Sequence, residues 1–95
     1  MVKYESIIVF KPNMEDEERN SLVEKFKGII NANGNVEEVD DWGQRKLAYE
    51  IQKLSEGHYY LITFEADPTV PKELERNYRI TESVIRYNVI KRPAK

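Results

Sequence analysis

Alternation of apolar and polar residues predicts four β-strands along the chain. The predicted strands cover Lys3–Lys11, a segment from Val36 to Ile51 with an irregularity near Trp42 and Gly43, His58–Ala66, and Ser83–Lys91. Successive strand residues point to opposite faces of a sheet. The alternation therefore assigns the residues of each strand to faces of the sheet. In the first strand, Ser6, Ile8 and Phe10 lie opposite to Glu5, Ile7 and Val9, and in the second, Leu47, Tyr49 and Ile51 face inward. In the third strand, Tyr60, Ile62 and Phe64 lie opposite to Tyr59, Leu61 and Thr63, and in the fourth, Ile85, Tyr87 and Val89 lie opposite to Val84, Arg86, Asn88 and Ile90.

Two segments between the strands have helical spacing. In the first, Leu22, Phe26, Ile29 and Ile30 form the apolar stripe, Asn13 is the expected N-cap, and Gly34 is the expected left-handed stop. In the second, Val70, Leu74 and Tyr78 recur at four-residue steps after the expected cap Thr69. Residues 53–57 are expected to form the turn between the second and third strands.

The element order is therefore βαββαβ. Right-handed crossovers fold this order into an α+β, ferredoxin-like sandwich with a four-stranded antiparallel sheet of order 4-1-3-2 and both helices on one face. Ninety-five residues suffice for one domain. We expect that domain to cover residues 1–92, with residues 93–95 as a short mobile C-terminal end.

Helices cover only one face of such a sheet, so apolar residues on the other face require an explanation. The outward positions of the two central strands are predicted to carry Ile7, Val9, Tyr59 and Leu61. A contiguous apolar patch on a small protein typically marks an interaction surface. RNA-binding sheets of this type stack bases on outward aromatic residues, but Ile7 and Leu61 offer no aromatic ring. We therefore interpret the four residues as a binding surface for a partner protein.

The distribution of charge restricts how the protein could bind RNA. The net charge is −2, with −4 in residues 1–50 and +2 in residues 51–95. General attraction to polyanions is therefore weak, and RNA binding requires a local basic patch. The predicted RNA-binding residues lie at the rims of the sheet: Lys3, Tyr4, Arg79, Arg86, Lys91 and Arg92.

No residue pattern indicates catalysis, a cofactor, a metal or a small-molecule substrate. His58 is the single histidine, the chain has no cysteine, and the segment KPNMED after the first strand lacks the glycines of a phosphate-binding loop. Glu37-Glu38 and Asp40-Asp41 lack the spacing of a calcium loop. No apolar run is long enough for a membrane span, and no signal peptide is evident. These features are typical of a cytosolic protein.

The segment WGQRKLAYEIQK resembles the second-strand signature of bacterial small-subunit ribosomal protein six. The matching residues are Gly43, Arg45, Leu47, Ala48, Tyr49 and Ile51, and the closing ITESVIRYNVIK is also similar. The resemblance implies a structural, non-catalytic subunit of the cytoplasmic ribosome that binds small-subunit ribosomal RNA together with small-subunit ribosomal protein eighteen. The alternative from the fold alone is a homodimeric regulatory domain that buries the same sheet face and binds a small metabolite.

Overall fold

The computed structural model describes residues 1–51 and 53–92. Its elements follow the predicted order and are listed here with their bounds: β1 (Val2–Phe10), α1 (Asp16–Ala32), β2 (Gly34–Ile51), β3 (Leu54–Ala66), α2 (Val70–Ile80) and β4 (Val84–Lys91). The C-terminal end expected at 93–95 lies outside the described residues.

The four strands form one antiparallel sheet of order β2-β3-β1-β4, which confirms the predicted topology. β1 and β3 lie at its centre, with Ile8 opposite Tyr60 and Ser6 opposite Ile62. Ile8, Tyr60 and Ile62 pack in one core cluster with side chains from both helices, including Phe26 of α1 and Tyr78 of α2. Both helices therefore cover the same face of the sheet, as predicted, and no helix formed by the described residues lies over the other face.

A buried hydrogen bond crosses the core between the sheet and α2. The Ser6 and Tyr78 hydroxyl oxygens lie 2.8 Å apart, and both side chains are fully buried. Burial raises the pKa of Tyr78, since its charged form would lose hydration, although the hydrogen bond to Ser6 opposes the shift. Ser6, a polar residue on the inner face of β1, thus has its hydrogen-bond partner in Tyr78, a helix residue that the sequence pattern treated as apolar.

The predicted helix-terminal roles of Asn13 and Gly34 are wrong. Asn13 lies in a left-handed turn (φ 66°), and α1 begins after Glu15, which makes no side-chain capping bond. Gly34 has no positive φ and begins β2 instead. A Cβ at Gly34 would lie 2.4 Å from the backbone oxygen of Glu65, so the close approach of β3 is what requires glycine.

A β-bulge changes the predicted alternation of β4. Val9 pairs with Arg86, but Phe10 pairs with Val84, so Ile85 is an extra residue. Val84 consequently packs against the core together with Tyr87 and Val89. The prediction placed Val84 on the opposite side from Tyr87 and Val89, and an inserted residue reverses that assignment.

The hairpin between β2 and β3 is longer than predicted. Of the predicted turn residues 53–57, only Lys53 lies in a turn (φ 65°), because β3 already begins at Leu54. Gly43 pairs with Tyr59 and Lys46 with Glu56, after which the register is irregular until Ile51 pairs with Leu54. We call residues 43–51 and 53–57 the hairpin arm. It extends past Phe10, the last residue of β1, which pairs with His58.

Candidate protein and RNA interface

The side of the sheet without helices is called the open face. On it, Ile7 of β1 lies opposite Leu61 of β3, and Val9 lies opposite Tyr59. The intervening residues Ile8 and Tyr60 are buried in the core on the other side. The structure therefore brings the four predicted partner-binding residues together on adjacent central strands. Ile7, Tyr59 and Leu61 are half-buried.

Val9 is less accessible than the sequence pattern suggested. Val9 is only 2% exposed, although neither α1 nor α2 lies over this face of the sheet. Its Cγ1 atom lies 2.4 Å from the position that a Cβ on Gly57 would take, and Ile85 Cδ1 lies 3.5 Å from that position. The base of the hairpin arm and the bulged residue of β4 thus cover Val9, so Ile7, Tyr59 and Leu61 are the predicted partner-binding residues that remain accessible.

The hairpin arm bends across the open face towards the opposite edge of the sheet. Tyr49 of the arm accepts a hydrogen bond of 2.8 Å from Arg86 Nη1 of β4. In a flat sheet these two edge strands would stand about 14 Å apart, or three strand spacings. Tyr49 also lies six residues, or about 20 Å, beyond Gly43, which is level with Arg86 in the sheet, so the contact requires the arm to curve. The inward placement predicted for Tyr49 is wrong, because this side chain is 61% exposed.

A shallow groove of about 210 Å³ lies beside this contact, lined by Ile7, Val9, Tyr59, Arg86, Tyr87 and Asn88. Its lining combines apolar side chains with one cation and one amide. Such a groove suits an apolar side chain from a partner, with polar groups at the border to orient it.

A second group of stacked side chains lies on the β2 side of the open face. The Trp42 ring stacks on Tyr59 with centroids 6.4 Å apart, and Arg45 Cζ lies 5.4 Å from the centre of the Trp42 ring. Trp42 Nε1 donates to Asp40 Oδ2 at 3.0 Å. The bulge at Trp42, between Asp41 and Gly43, directs this ring towards β3. The predicted site residues do not include Trp42 and Tyr49, although the basic and aromatic residues of WGQRKLAY mark this segment in the sequence.

The predicted RNA-binding residues fall into two separate groups. Lys91 pairs with Tyr4 at the start of β1, and the Arg92 N–H bonds the Lys3 carbonyl. Arg86 pairs with Val9, near the other end of β1. Five residues along a strand separate Arg86 from Lys91 by about 17 Å. Arg79 lies in the last turn of α2, close to the segment that leads into Val84, and so belongs to the same end of the sheet as Arg86.

Several of these residues are already occupied by contacts within the protein. Tyr4 was expected at a rim, but its side chain is buried and its ring stacks on Phe64, with centroids 5.4 Å apart. Lys3 Nζ lies 3.3 Å from Glu37, and Arg92 Nε lies 3.2 Å from Glu5. These carboxylates offset part of the positive charge at this end of the sheet. Arg86 differs, since it donates to a neutral hydroxyl and its Cζ lies 5.3 Å from the centre of the Tyr49 ring.

His58 joins β3 to the start of the hairpin arm. Its Nε2 lies 2.6 Å from Asp41 Oδ1, which also accepts the Gly43 N–H at 2.9 Å. Burial opposes ionisation of this carboxyl, but the hydrogen bonds from His58 and Gly43 outweigh it and hold the pKa of Asp41 below its ordinary value. The His58 ring also stacks on Tyr60. These contacts fix the strand register where the arm begins.

Within residues 1–51 and 53–92, no three or more histidine or acidic side chains are grouped so as to hold a metal ion. In the same part of the chain, no helix has the length and apolar character needed to cross a membrane.

Comparison with known proteins identifies the family. The family model described as Ribosomal protein S6 matches residues 3–91. The small ribosomal subunit protein bS6 of Clostridium kluyveri is 55% identical over 92 residues, covering 96% of this chain and 97% of that protein. The bS6 protein of Alkaliphilus oremlandii is 53% identical over 91 residues, with the same coverage. A crystal structure of 30S ribosomal protein S6 from Thermotoga maritima superposes with a TM-score of 0.89 at 42% identity, covering 96% of this chain and 87% of that one. The chain, with its βαββαβ sandwich and long hairpin arm, belongs to the ribosomal protein S6 family.

Proposed function

We propose that this protein is a structural, non-catalytic component of the small ribosomal subunit that binds small-subunit ribosomal RNA together with small-subunit ribosomal protein eighteen. Membership of the S6 family makes it a protein of the small subunit of the cytoplasmic ribosome. The proposal adds the partner and the surfaces used: the open face binds the partner protein, and basic residues at its border contact RNA.

The observation that carries the proposal is the apolar centre of the open face. Ile7, Tyr59 and Leu61 lie on adjacent central strands where no helix covers them, next to the groove. Leaving this surface in water costs free energy that a docked protein recovers at about 25 cal/mol per Å² of apolar area buried.

Charge supports cooperative binding of RNA. The net charge of −2 provides no general attraction to RNA. The carboxylates beside Lys3 and Arg92 further reduce the positive charge at one end of the sheet. A basic partner on the open face would add cations next to Arg86, so that one surface of the two proteins contacts the phosphates. The complex should therefore bind RNA more tightly than this protein alone.

A titration of small-subunit ribosomal RNA with this protein, in the presence and absence of protein eighteen, tests the proposal. We expect weak binding by the protein alone, and binding at least tenfold tighter when protein eighteen is present. Equal affinity in both titrations would overturn the cooperative mechanism. A stable homodimer of the isolated protein that excludes protein eighteen would instead support a regulatory domain that buries the open face against its own copy.

A further inference from the structure

We infer that Tyr49 and Arg86 together form a stacking site for one unpaired nucleotide of RNA, at the border of the surface that binds the partner protein. The base would stack on the Tyr49 ring, and a phosphate would contact the Arg86 guanidinium. This inference rests on the proposed function, since it assigns a specific contact to the RNA that the protein is proposed to bind.

The Tyr49 ring is both exposed and held in place. Its side chain is 61% exposed, although Arg86 covers one side of the ring, with Cζ 5.3 Å from its centre. The exposed area must therefore come mainly from the opposite side and the edges of the ring. The hydrogen bond of 2.8 Å between the hydroxyl and Arg86 Nη1 restricts rotation of this surface side chain. A ring that is already ordered loses less conformational entropy when a base stacks on it.

The backbone around Tyr49 also favours a contact site. Tyr49 lies between Lys46 and Ile51, where the pairing of β2 with β3 is irregular. The arm curves over the open face at this point, so the ring stands apart from the central strands. The groove beside it is lined in part by Arg86, which it shares with the inferred site, but Tyr49 is not among its lining residues. A partner side chain in the groove and a base on Tyr49 therefore use different atoms.

The local charge favours a polyanion at the hairpin arm and not at the preceding half of β2. Residues 43–57 contain three basic and two acidic side chains, whereas residues 34–42 contain four acidic and no basic side chains. Among the described residues, Arg86 has no ion pair with a carboxylate and is bonded to a neutral hydroxyl. Its full charge is available to a phosphate, and each such contact adds a salt-dependent increment to binding.

An exposed aromatic ring next to an unneutralised cation matches the two parts of a nucleotide. Bases of unpaired RNA stack on aromatic rings and on guanidinium planes, and stacking tolerates any base. Trp42 is less suitable, because its ring already contacts both Tyr59 and Arg45. The central strands provide Ile7 and Leu61, which have no ring. Tyr49 is thus the aromatic residue of the open face with most surface left for a base.

The test compares variants of Tyr49 in the complex with protein eighteen, using full-length small-subunit ribosomal RNA as the probe. Tyr49→Leu keeps an apolar side chain but removes the aromatic ring, and we expect about a tenfold loss of RNA affinity. The slope of affinity against salt should not change, because no phosphate contact is lost. Tyr49→Phe keeps the ring and should lose less than about threefold, while Tyr49→Trp should bind at least as tightly as the natural protein.

Ile80→Ala is the matched control. Ile80 is an apolar side chain of comparable exposure (65%) on α2, and its removal should leave RNA affinity unchanged. Three results would overturn the inference: equal RNA affinity for Tyr49→Leu and the natural protein, equal losses for Tyr49→Leu and Tyr49→Phe, or weaker binding of protein eighteen by Tyr49→Leu in the absence of RNA. The last would assign Tyr49 to the protein interface. Failure of the unmutated complex to bind RNA would instead contradict the proposed function itself.

Discussion

The hydroxyl of Tyr49 accepts a hydrogen bond of 2.8 Å from Nη1 of Arg86, although the two residues belong to opposite edge strands of the sheet. The bond shows how far the hairpin arm bends over the open face. Arg86, which is predicted to contact RNA, is thus bonded to the arm within the protein itself.

Loss of the Arg86 side chain should loosen the arm without unfolding the protein. In Arg86→Ala, both the hydrogen bond and the stacking contact with Tyr49 disappear. We expect faster hydrogen exchange at the amides of residues 44–51, and a change in the free energy of unfolding below about 1 kcal/mol because the contact is exposed.

Arg76→Ala provides the control for this measurement. It removes a similarly exposed contact, between Arg76 and Glu73 on α2, and should not alter exchange in the arm. Unchanged exchange in the arm of Arg86→Ala would show that this contact does not hold the arm.

Arg86→Ala should weaken RNA binding only when protein eighteen is present. The loss of one phosphate contact makes the plot of log affinity against log salt shallower by about one unit. A salt titration of both complexes measures this change. An unchanged slope, even with weaker binding, would mean that Arg86 acts through the arm and does not contact a phosphate.

Leu61→Glu should abolish binding of protein eighteen and leave the monomer folded. Leu61 is half-buried opposite Ile7 on the open face, so a carboxylate there would be desolvated by a docked partner. A pull-down with protein eighteen measures binding, and circular dichroism checks the fold. Ile80→Glu adds the same charge to an exposed position on α2 and should bind normally. Association of Leu61→Glu at the natural level would place the partner on another surface.

Two glycines should respond in opposite ways to replacement by alanine. In Gly34→Ala the new Cβ would lie 2.4 Å from the Glu65 backbone oxygen, and we expect a loss of about 1–3 kcal/mol in the free energy of unfolding. In Gly28→Ala the new Cβ meets nothing within 4 Å and α1 gains a better helix former. We expect a gain of about 0.5–1 kcal/mol. Urea unfolding measures both, and equal effects would contradict the assignment of Gly34 to a close strand contact.

The Asp41–His58 pair should make stability depend on acidity at low pH. The pKa of Asp41 is lower in the folded protein than its ordinary value of 3.8, so the ionised carboxylate stabilises the fold above that pH. This contribution is lost as the pH falls through the depressed pKa. The stability difference between the natural protein and Asp41→Asn, measured by urea unfolding from pH 6 to pH 2, should therefore shrink below about pH 4. A difference independent of pH would show that ionisation of Asp41 does not contribute.

The sequence determined the element order, the sheet topology and the position of the apolar open face. These follow from the spacing of apolar residues, because periods of two and of about 3.6 residues decide which side chains share a face. The placement of Ile7, Val9, Tyr59 and Leu61 on one face could be predicted because both central strands alternate without interruption, whereas alternation leaves open which residues pair.

Only the tertiary structure decided where that alternation is interrupted and which long-range contacts result. The bulge at Ile85, the cover that Gly57 gives to Val9 and the contact of Tyr49 with Arg86 depend on how two distant strands approach each other. Spacing along one strand carries no information about the curvature of its neighbour. One extra residue or one bend is enough to move a side chain from the core to the surface, and such local departures arise from packing between segments that are far apart in the chain.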